Sequence, residues 1–206
     1  MAGAHHGGGR RGRGVPARGT PLTRDPYLAD ALRQLRKLKA QADRALAQVP
    51  DDRLFTALDA EANSIALIMK HLSGNMRSRW TDFLTTDGEK PDRERDAEFE
   101  LAAEDTRAAL FERWEDGWRH CFGAIEPLDA ADLARPVTVR GEPHSVLEAI
   151  NRQLVHYAQH VGQIVFLAKH FAGPWWQTLS IPRGKSRELD VSKDGETYPA
   201  GGGPPP

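Results

Sequence analysis

The segment from residue 145 to 171 constrains the fold most, because it predicts a long helix whose apolar side carries polar residues. Ser145 and Glu148 form the S-x-x-E capping box that begins such helices, and a Gly-Pro pair follows its end. Within it, the stretch QLVHYAQHVGQIVFLAKH places His156 and His160 on adjacent turns of one side. An unpaired polar group costs free energy when it is buried, so the two imidazoles need partners.

The inward stripe of this predicted helix mixes apolar residues with glutamine and histidine. On a helical wheel, the residues that lie within about 80° of one another are Ala149, Gln153, His156, His160, Gln163 and Leu167. Two interpretations of the histidine pair stay open: it shares one metal ion, or each histidine has an ordinary partner in the core. Gln153 and Gln163 flank the pair and are candidates to fix its imidazole tautomers.

Three other segments repeat apolar residues at the spacing of a helix. The first begins with Asp25 as N-cap and Pro26 at the first helical position. The second runs from about residue 63 to 84, and the third from about 104 to 125 with an aromatic stripe that we expect in the core. Strand signals are confined to residues 137–139. The predicted fold class is therefore all-α, an up-down four-helix bundle with a short extended segment.

The two ends of the chain have the composition of disordered segments. Residues 1–24 are a Gly- and Arg-rich arm and residues 191–206 form a Gly- and Pro-rich tail, which leaves residues 25–190 as the folded domain. A net charge of -1 argues against a dedicated nucleic-acid surface, and no base-reading module accompanies the basic arm. The single cysteine, Cys121, excludes an intrachain disulfide, and no apolar run is long enough to span a membrane. We expect a cytoplasmic protein.

A third histidine lies on the apolar face of the predicted second helix. Two histidines are too few to close a catalytic zinc site, and His71 is the best candidate for the missing ligand. Three neutral imidazoles and one or more waters would give the open site of a catalytic divalent ion. The remaining histidines lie in the arm, beside charged residues or at helix ends: His5, His6, His120, His144 and His170. Ordinary core histidines stay an alternative, since the residues alone do not show that the second helix faces the fourth.

Residues that follow His71 are candidates for contacts with a substrate. Asn75, one turn further on the same side, can hydrogen-bond a ligand or orient a bound water. Arg79, another turn on, can pair with a substrate carboxylate. The alternative is that Arg77 and Arg79 form surface or dimer salt bridges. Gly74, which costs about 1 kcal/mol of helix propensity, indicates close packing or the close approach of a ligand.

One histidine in the second helix and HxxxH in the fourth resemble the pattern of the DinB/YfiT superfamily of metal-binding four-helix bundles. The stretches SIALIMKHLSGNMRSRWTDFLTTDGEKP, RGEPHSVLEAINRQLVHYAQHVGQIVFLAKH and LSIPRGKS are similar to one uncharacterised DinB-like subfamily. The resemblance covers about residues 26–190. It implies a divalent cation, usually zinc or nickel, held by His71, His156 and His160, and commonly a homodimer. The fourth helix is apolar around much of its circumference, which also predicts burial against a second chain or against the segment PWWQTLSIP.

The resemblance implies several chemistries at such a site. Some members of the superfamily are thiol-dependent enzymes, including mycothiol-dependent maleylpyruvate isomerase and bacillithiol S-transferase, and many others have no known reaction. A divalent ion with a free position can activate a bound thiol or a bound water. We therefore expect a metalloenzyme that acts on a small molecule with a low-molecular-weight thiol, as an S-transferase. The alternatives are a metal-dependent hydrolase and a non-catalytic metal- or ligand-binding protein linked to stress.

Overall fold

A computed structural model describes residues 25–203, which form four α-helices and two small antiparallel sheets. The helices are α1 (Pro26–Leu46), α2 (Ile65–Trp80), α3 (Arg107–Ile125) and α4 (Val146–Ala172). The strands are β1 (Pro136–Val139), β2 (Glu142–Ser145), β3 (Leu189–Val191) and β4 (Thr197–Pro199). Short 3₁₀ turns occupy Asp51–Arg53, Asp96–Phe99 and Gly173–Trp175. The described part of the chain is mostly helical, as the sequence predicts.

Polar side chains begin all four helices. The carboxylate of Asp25 accepts hydrogen bonds from the first backbone N–H groups of α1, and the hydroxyls of Ser64 and Thr106 do the same for α2 and α3. At α4 the capping box is reciprocal: Ser145 Oγ accepts from the Glu148 N–H at 3.2 Å, and Glu148 Oε2 accepts from the Ser145 N–H at 2.7 Å. A cap of this kind stabilises a helix by about 1 kcal/mol. The predicted caps at Asp25 and Ser145 are confirmed.

Two helix boundaries differ from the prediction by a few residues. α2 ends at Trp80 because Thr81 is extended and Asp82 has a φ of 47°, in the left-handed region that interrupts a helix. α3 begins at Arg107 because the Thr106 side chain caps it, accepting from a backbone N–H at 3.2 Å. Neither difference moves a candidate site residue out of its helix.

The core lies between the helices, with α2 packed against α3 and α1 packed against α4. The aromatic stripe of α3 contributes Trp114 and Trp118 to this core, and the Trp118 ring lies 5.7 Å from that of Tyr157 on α4. Cys121 is buried beside them, and burial raises the pKa of its thiol, so it acts as a small apolar residue. α2 also contacts α4, and this contact positions the candidate site.

The loop after α2 is tied to the β1–β2 hairpin. The hairpin closes through Arg140 and Gly141, whose φ values of 56° and 76° match the turns that suit twisted strands. The carboxylate of Asp87 accepts from both of their backbone N–H groups at 2.8 Å. The Gly88 N–H donates to the Thr138 carbonyl oxygen, also at 2.8 Å. Loop and hairpin thus form one wall beside the site.

Part of the segment predicted as a disordered tail forms the β3–β4 hairpin. Its turn is closed by hydrogen bonds from the Ser192 N–H to the Glu196 carbonyl and from the Gly195 N–H to the Ser192 carbonyl. The Asp-Gly pair at residues 194–195 supplies the positive φ, 93° at Gly195, that such a turn needs. The predicted arm of residues 1–24 and the last three residues lie outside the described part. Within residues 25–203, no helix combines the length and apolar character that a membrane span requires.

Candidate metal centre

Three histidine side chains from two helices converge between α2 and α4. One ring nitrogen each of His71, His156 and His160 lies within 4.8 Å of the others. Nε2 of His71 and Nε2 of His156 are 3.3 Å apart, the separation that two ligands of a tetrahedral zinc ion show at a Zn–N distance of about 2.0–2.1 Å. His71 is buried, whereas His156 and His160 are half-buried. The three predicted ligands are therefore together, and their donor atoms fit a divalent cation.

Glu98 fixes the orientation of His71. Its Oε2 lies 2.8 Å from His71 Nδ1, and Arg93 donates to both carboxylate oxygens from Nε and Nη2, also at 2.8 Å. Burial opposes the charge of Glu98, but hydrogen bonds from His71 and Arg93, together with the charge of Arg93, hold the pKa of the carboxyl below its usual value. An ionised carboxylate accepts from Nδ1–H, so Nε2 of His71 presents its lone pair to the other two histidines.

Gly74 makes room for that carboxylate. A Cβ at this position would lie 2.3 Å from Glu98 Oε1 and 2.9 Å from Glu98 Cδ. The close packing that the sequence indicates at Gly74 is thus contact with a protein carboxylate. Sequence reasoning missed Glu98 itself, which lies in a 3₁₀ turn 27 residues after His71. Gly74 was the only local signal that something packs closely against α2 there.

Replacing Gly74 with alanine is expected to weaken zinc binding by about 10- to 100-fold, the usual cost of losing the partner that orients a ligating histidine. The new methyl group would displace Glu98 from His71 while all three ligands remain. Zinc affinity measured by competition with a chelator checks this. Gly123→Ala in α3 is the matched control, because a Cβ there meets nothing within 4 Å. Equal zinc affinity in the two variants would remove the role assigned to Glu98.

The α4 histidines are held differently from each other. His160 Nδ1 lies 2.8 Å from Gln163 Oε1, which leaves Nε2 of His160 to face the site. Fixing the imidazole tautomer in this way is the role predicted for Gln163. Gln153 was expected to act likewise, but no hydrogen bond joins it to a histidine in residues 25–203. Burial, followed by the neighbouring His160 and His71, lowers the pKa of His156 to about 3, and burial also lowers that of His160. Both rings are therefore neutral near neutral pH, which is the form that binds a metal.

Asn75 and the three histidines line a cavity of about 400 Å³. Asn75 Oδ1 accepts from the hydroxyl of buried Tyr157 at 3.3 Å, and that hydroxyl accepts from Trp80 Nε1 at 2.9 Å. These contacts fix the amide plane, so the amide NH₂ is the group that Asn75 can offer to a ligand. The position of Asn75 in the cavity agrees with its predicted role as a hydrogen-bonding group for a ligand.

Arg79 lines the same cavity, and its side chain is buried. Its Nη2 lies 3.2 Å from Glu89 Oε2. Arg77, by contrast, is exposed and pairs with Asp92 at 2.8 Å. The predicted alternative of a surface salt bridge therefore describes Arg77, and Arg79 belongs to the interior of the site.

The other histidines of the described region lie away from the cluster. His120 contacts Thr81 and Asp116, and His144 Nδ1 lies 3.0 Å from the carbonyl of Glu142. His170 is exposed near the end of α4. This separation agrees with the choice of His71 as the third ligand.

Residues 23–185 match the model of a family described as "Protein of unknown function (DUF1572)". The match spans well over half of the chain, so the chain belongs to this family. No protein with a curated description is significantly similar to it.

Proposed function

For this member of the DUF1572 family, we propose a metal-dependent enzyme that transfers a low-molecular-weight thiol to a small electrophilic substrate. The observation that carries the proposal is the convergence of three histidine nitrogens beside a cavity large enough for a small molecule. The ion is zinc or nickel, held by His71, His156 and His160. The fold that supports this site is a DinB/YfiT-like up-down four-helix bundle.

Three ligands favour catalysis over a purely structural role. Structural zinc sites are closed by four protein ligands, whereas catalytic sites keep one position for water or substrate. His156 and His160 are only half-buried and line the cavity, so a substrate in the cavity would lie next to an ion that these histidines hold. When bound, the ion supplies a Lewis acid that lowers the pKa of a coordinated thiol or water.

The protein's own groups have three tasks in this proposal. Glu98 holds His71 in the tautomer that ligates, and Gln163 does the same for His160. Asn75, fixed by Tyr157, donates a hydrogen bond that orients the substrate. The cavity around them gives a small substrate room beside the histidines.

Conjugation of thiols to a chlorobimane tests the proposal. Zinc-loaded protein should catalyse it with bacillithiol, mycothiol or a simple analogue, and His71→Ala should abolish it. Asn75→Ala should lower the rate while metal content stays unchanged, because its role is orientation. If esters or lactones turn over instead with the same histidine dependence, the hydrolase is correct. If no substrate turns over and zinc still binds, the protein is a non-catalytic metal-binding protein.

The enzyme is expected to form a homodimer through the outer side of α4. Val155 and Phe166 lie on one side of this helix and are 62% and 65% exposed. The C-terminal segment covers other surface, since Trp176 and Leu179 pack against the core while Trp175 is 85% exposed. Burying the exposed two thirds of each of the two α4 side chains between chains would contribute about 1–2 kcal/mol for each side chain.

Light scattering at micromolar concentration checks the dimer, which Phe166→Asp should convert to monomers. Leu58→Asp is the control, because it adds the same charge at another exposed apolar position. A monomeric parent chain would show that the apolar side of α4 serves another purpose.

A further inference from the structure

We infer that the cavity beside the three histidines binds a substrate with an anionic oxygen group, a carboxylate or a phosphoryl group, and that Arg79 pairs with it. This inference rests on the proposed function only in taking the histidine cavity as the place of the reaction. The residues that would recognise the anion can be tested by binding measurements, without catalytic turnover.

Arg79 has more hydrogen-bonding capacity than the protein uses. It is only 4% exposed, and in residues 25–203 neither Nε nor Nη1 has a hydrogen-bond partner. Its one ion pair joins Nη2 to Glu89 at 3.2 Å. A buried guanidinium with unused donors is costly, and an anionic oxygen that accepts from one of them would supply a hydrogen bond and the opposite charge together.

Neighbouring charges leave that guanidinium incompletely neutralised. Glu89 also pairs with Arg93 at 3.1 Å and with Arg140 at 3.2 Å, so three arginines share its carboxylate. Arg93 has Glu98 as a second partner, whereas Glu89 is the one carboxylate that pairs with Arg79 in residues 25–203. Burial lowers the pKa of Arg79, and the attraction of Glu89 opposes that effect only in part. An anion in the cavity would give Arg79 a charged partner that it need not share with Arg93 and Arg140.

The lining of the cavity has one sign of charge. Its arginines are Arg79, Arg93, Arg95, Arg140 and Arg152, and no aspartate or glutamate of the described residues lines it. Arginines on one side of a cleft attract anionic ligands and raise their local concentration. The histidines add no charge in their neutral form, so the positive charge of the cavity comes from the arginines alone.

Arg79 is held in place before a ligand arrives. A Cβ on Gly88 would lie 3.0 Å from Arg79 Cδ and 3.1 Å from Nη1, so the guanidinium packs against a residue that has no side chain. The Gly88 N–H is bound to Thr138 on the hairpin, which fixes that contact. A preorganised guanidinium loses little conformational entropy on binding.

Gln153 is a second buried polar group of the same cavity with an unused atom. It is 2% exposed, and its Oε1 has no partner among the described residues. A hydroxyl or N–H group of the ligand can satisfy this acceptor. Two unpartnered buried side chains in one cavity point to a ligand that carries an anionic group and a hydrogen-bond donor.

Calorimetric titration of the zinc-loaded full chain with succinate and with inorganic phosphate tests the inference, with succinamide as the neutral match for succinate. Arg79→Gln should weaken binding of the preferred anion at least about tenfold, the loss expected for one charge-assisted hydrogen bond. Arg77→Gln, on the exposed side of α2, should leave it unchanged. Which anion binds more tightly decides between a carboxylate and a phosphoryl substrate.

Two further outcomes separate this inference from the proposed function. Anion binding that depends on Arg79 in a His156→Ala variant without metal supports the inference even if no thiol is ever transferred. Equal affinity in Arg79→Gln and the parent, or binding of succinamide as strong as that of succinate, overturns it while the metal site stands. If Arg79→Gln fails to fold, Arg79→Lys replaces it, because lysine keeps the positive charge but lacks the guanidinium donors, and unchanged affinity for the anion in that variant overturns the inference.

Discussion

Alanine in place of any one of the three histidines is expected to lower zinc affinity by at least about a hundredfold, because one ligand of three carries roughly 3 kcal/mol or more of the binding free energy. His71→Ala also removes the ring whose Nδ1–H donates to Glu98. His156→Ala and His160→Ala leave α4 intact, since both side chains are half-buried on its surface. Competition with a chromophoric chelator measures each affinity on protein that is first shown to be folded by circular dichroism.

His120→Ala and His170→Ala are the matched controls, because they remove histidines of the same chain that lie outside the cluster. Their zinc affinity should equal that of the parent. The competing interpretation, in which His71 and His156 only share an N–H···N hydrogen bond, predicts a stability loss without any change in metal binding. Parent-level metal content in His156→Ala would refute the three-histidine assignment.

Glu98→Gln is expected to weaken zinc binding by about 10- to 100-fold although it changes no ligand. The amide has nearly the shape of the carboxylate, but its NH₂ group is a donor where each carboxylate oxygen accepts. This NH₂ group would face N–H donors, either those of Arg93 or the Nδ1–H of His71. Arg93 then keeps only Glu89 as a charged partner, and breaking a buried ion pair costs about 3–5 kcal/mol of stability.

The two effects of Glu98→Gln are measured separately, by chelator competition and by denaturant unfolding of the metal-free chain. Glu94→Gln, an exposed glutamate of the same loop, is the control for the loss of one negative charge. A variant that is destabilised but binds zinc as tightly as the parent would show that Glu98 is only structural.

The inward direction of the three histidines could be predicted because helical periodicity is local. The spacing of His156 and His160 fixes their common side, and the apolar neighbours of His71 fix its inward direction. The contact between α2 and α4 at the level of the histidines belongs to the tertiary structure, and the periodicity of either helix alone does not predict it. The resemblance to the DinB/YfiT pattern was needed to choose between a metal site and ordinary core histidines.

The groups around the ligands were harder to predict because they come from loops. Glu98 follows shortly after a stretch of alternating charges, residues 87–96, that is typical of solvated segments, and only its contacts in the fold distinguish it. Arg79 could not be told from a surface arginine, because the loop that covers it is held in place by a hairpin that is distant in sequence. The β3–β4 hairpin was overlooked since composition outweighed its Asp-Gly turn signal.

Metal analysis of the full chain, purified without chelator or nickel resin, decides whether the three histidines bind a metal ion. We expect about one divalent ion per chain, as for a single three-histidine site, and its loss in His156→Ala. A folded parent chain that is purified without metal and binds no added zinc, nickel or cobalt would contradict it.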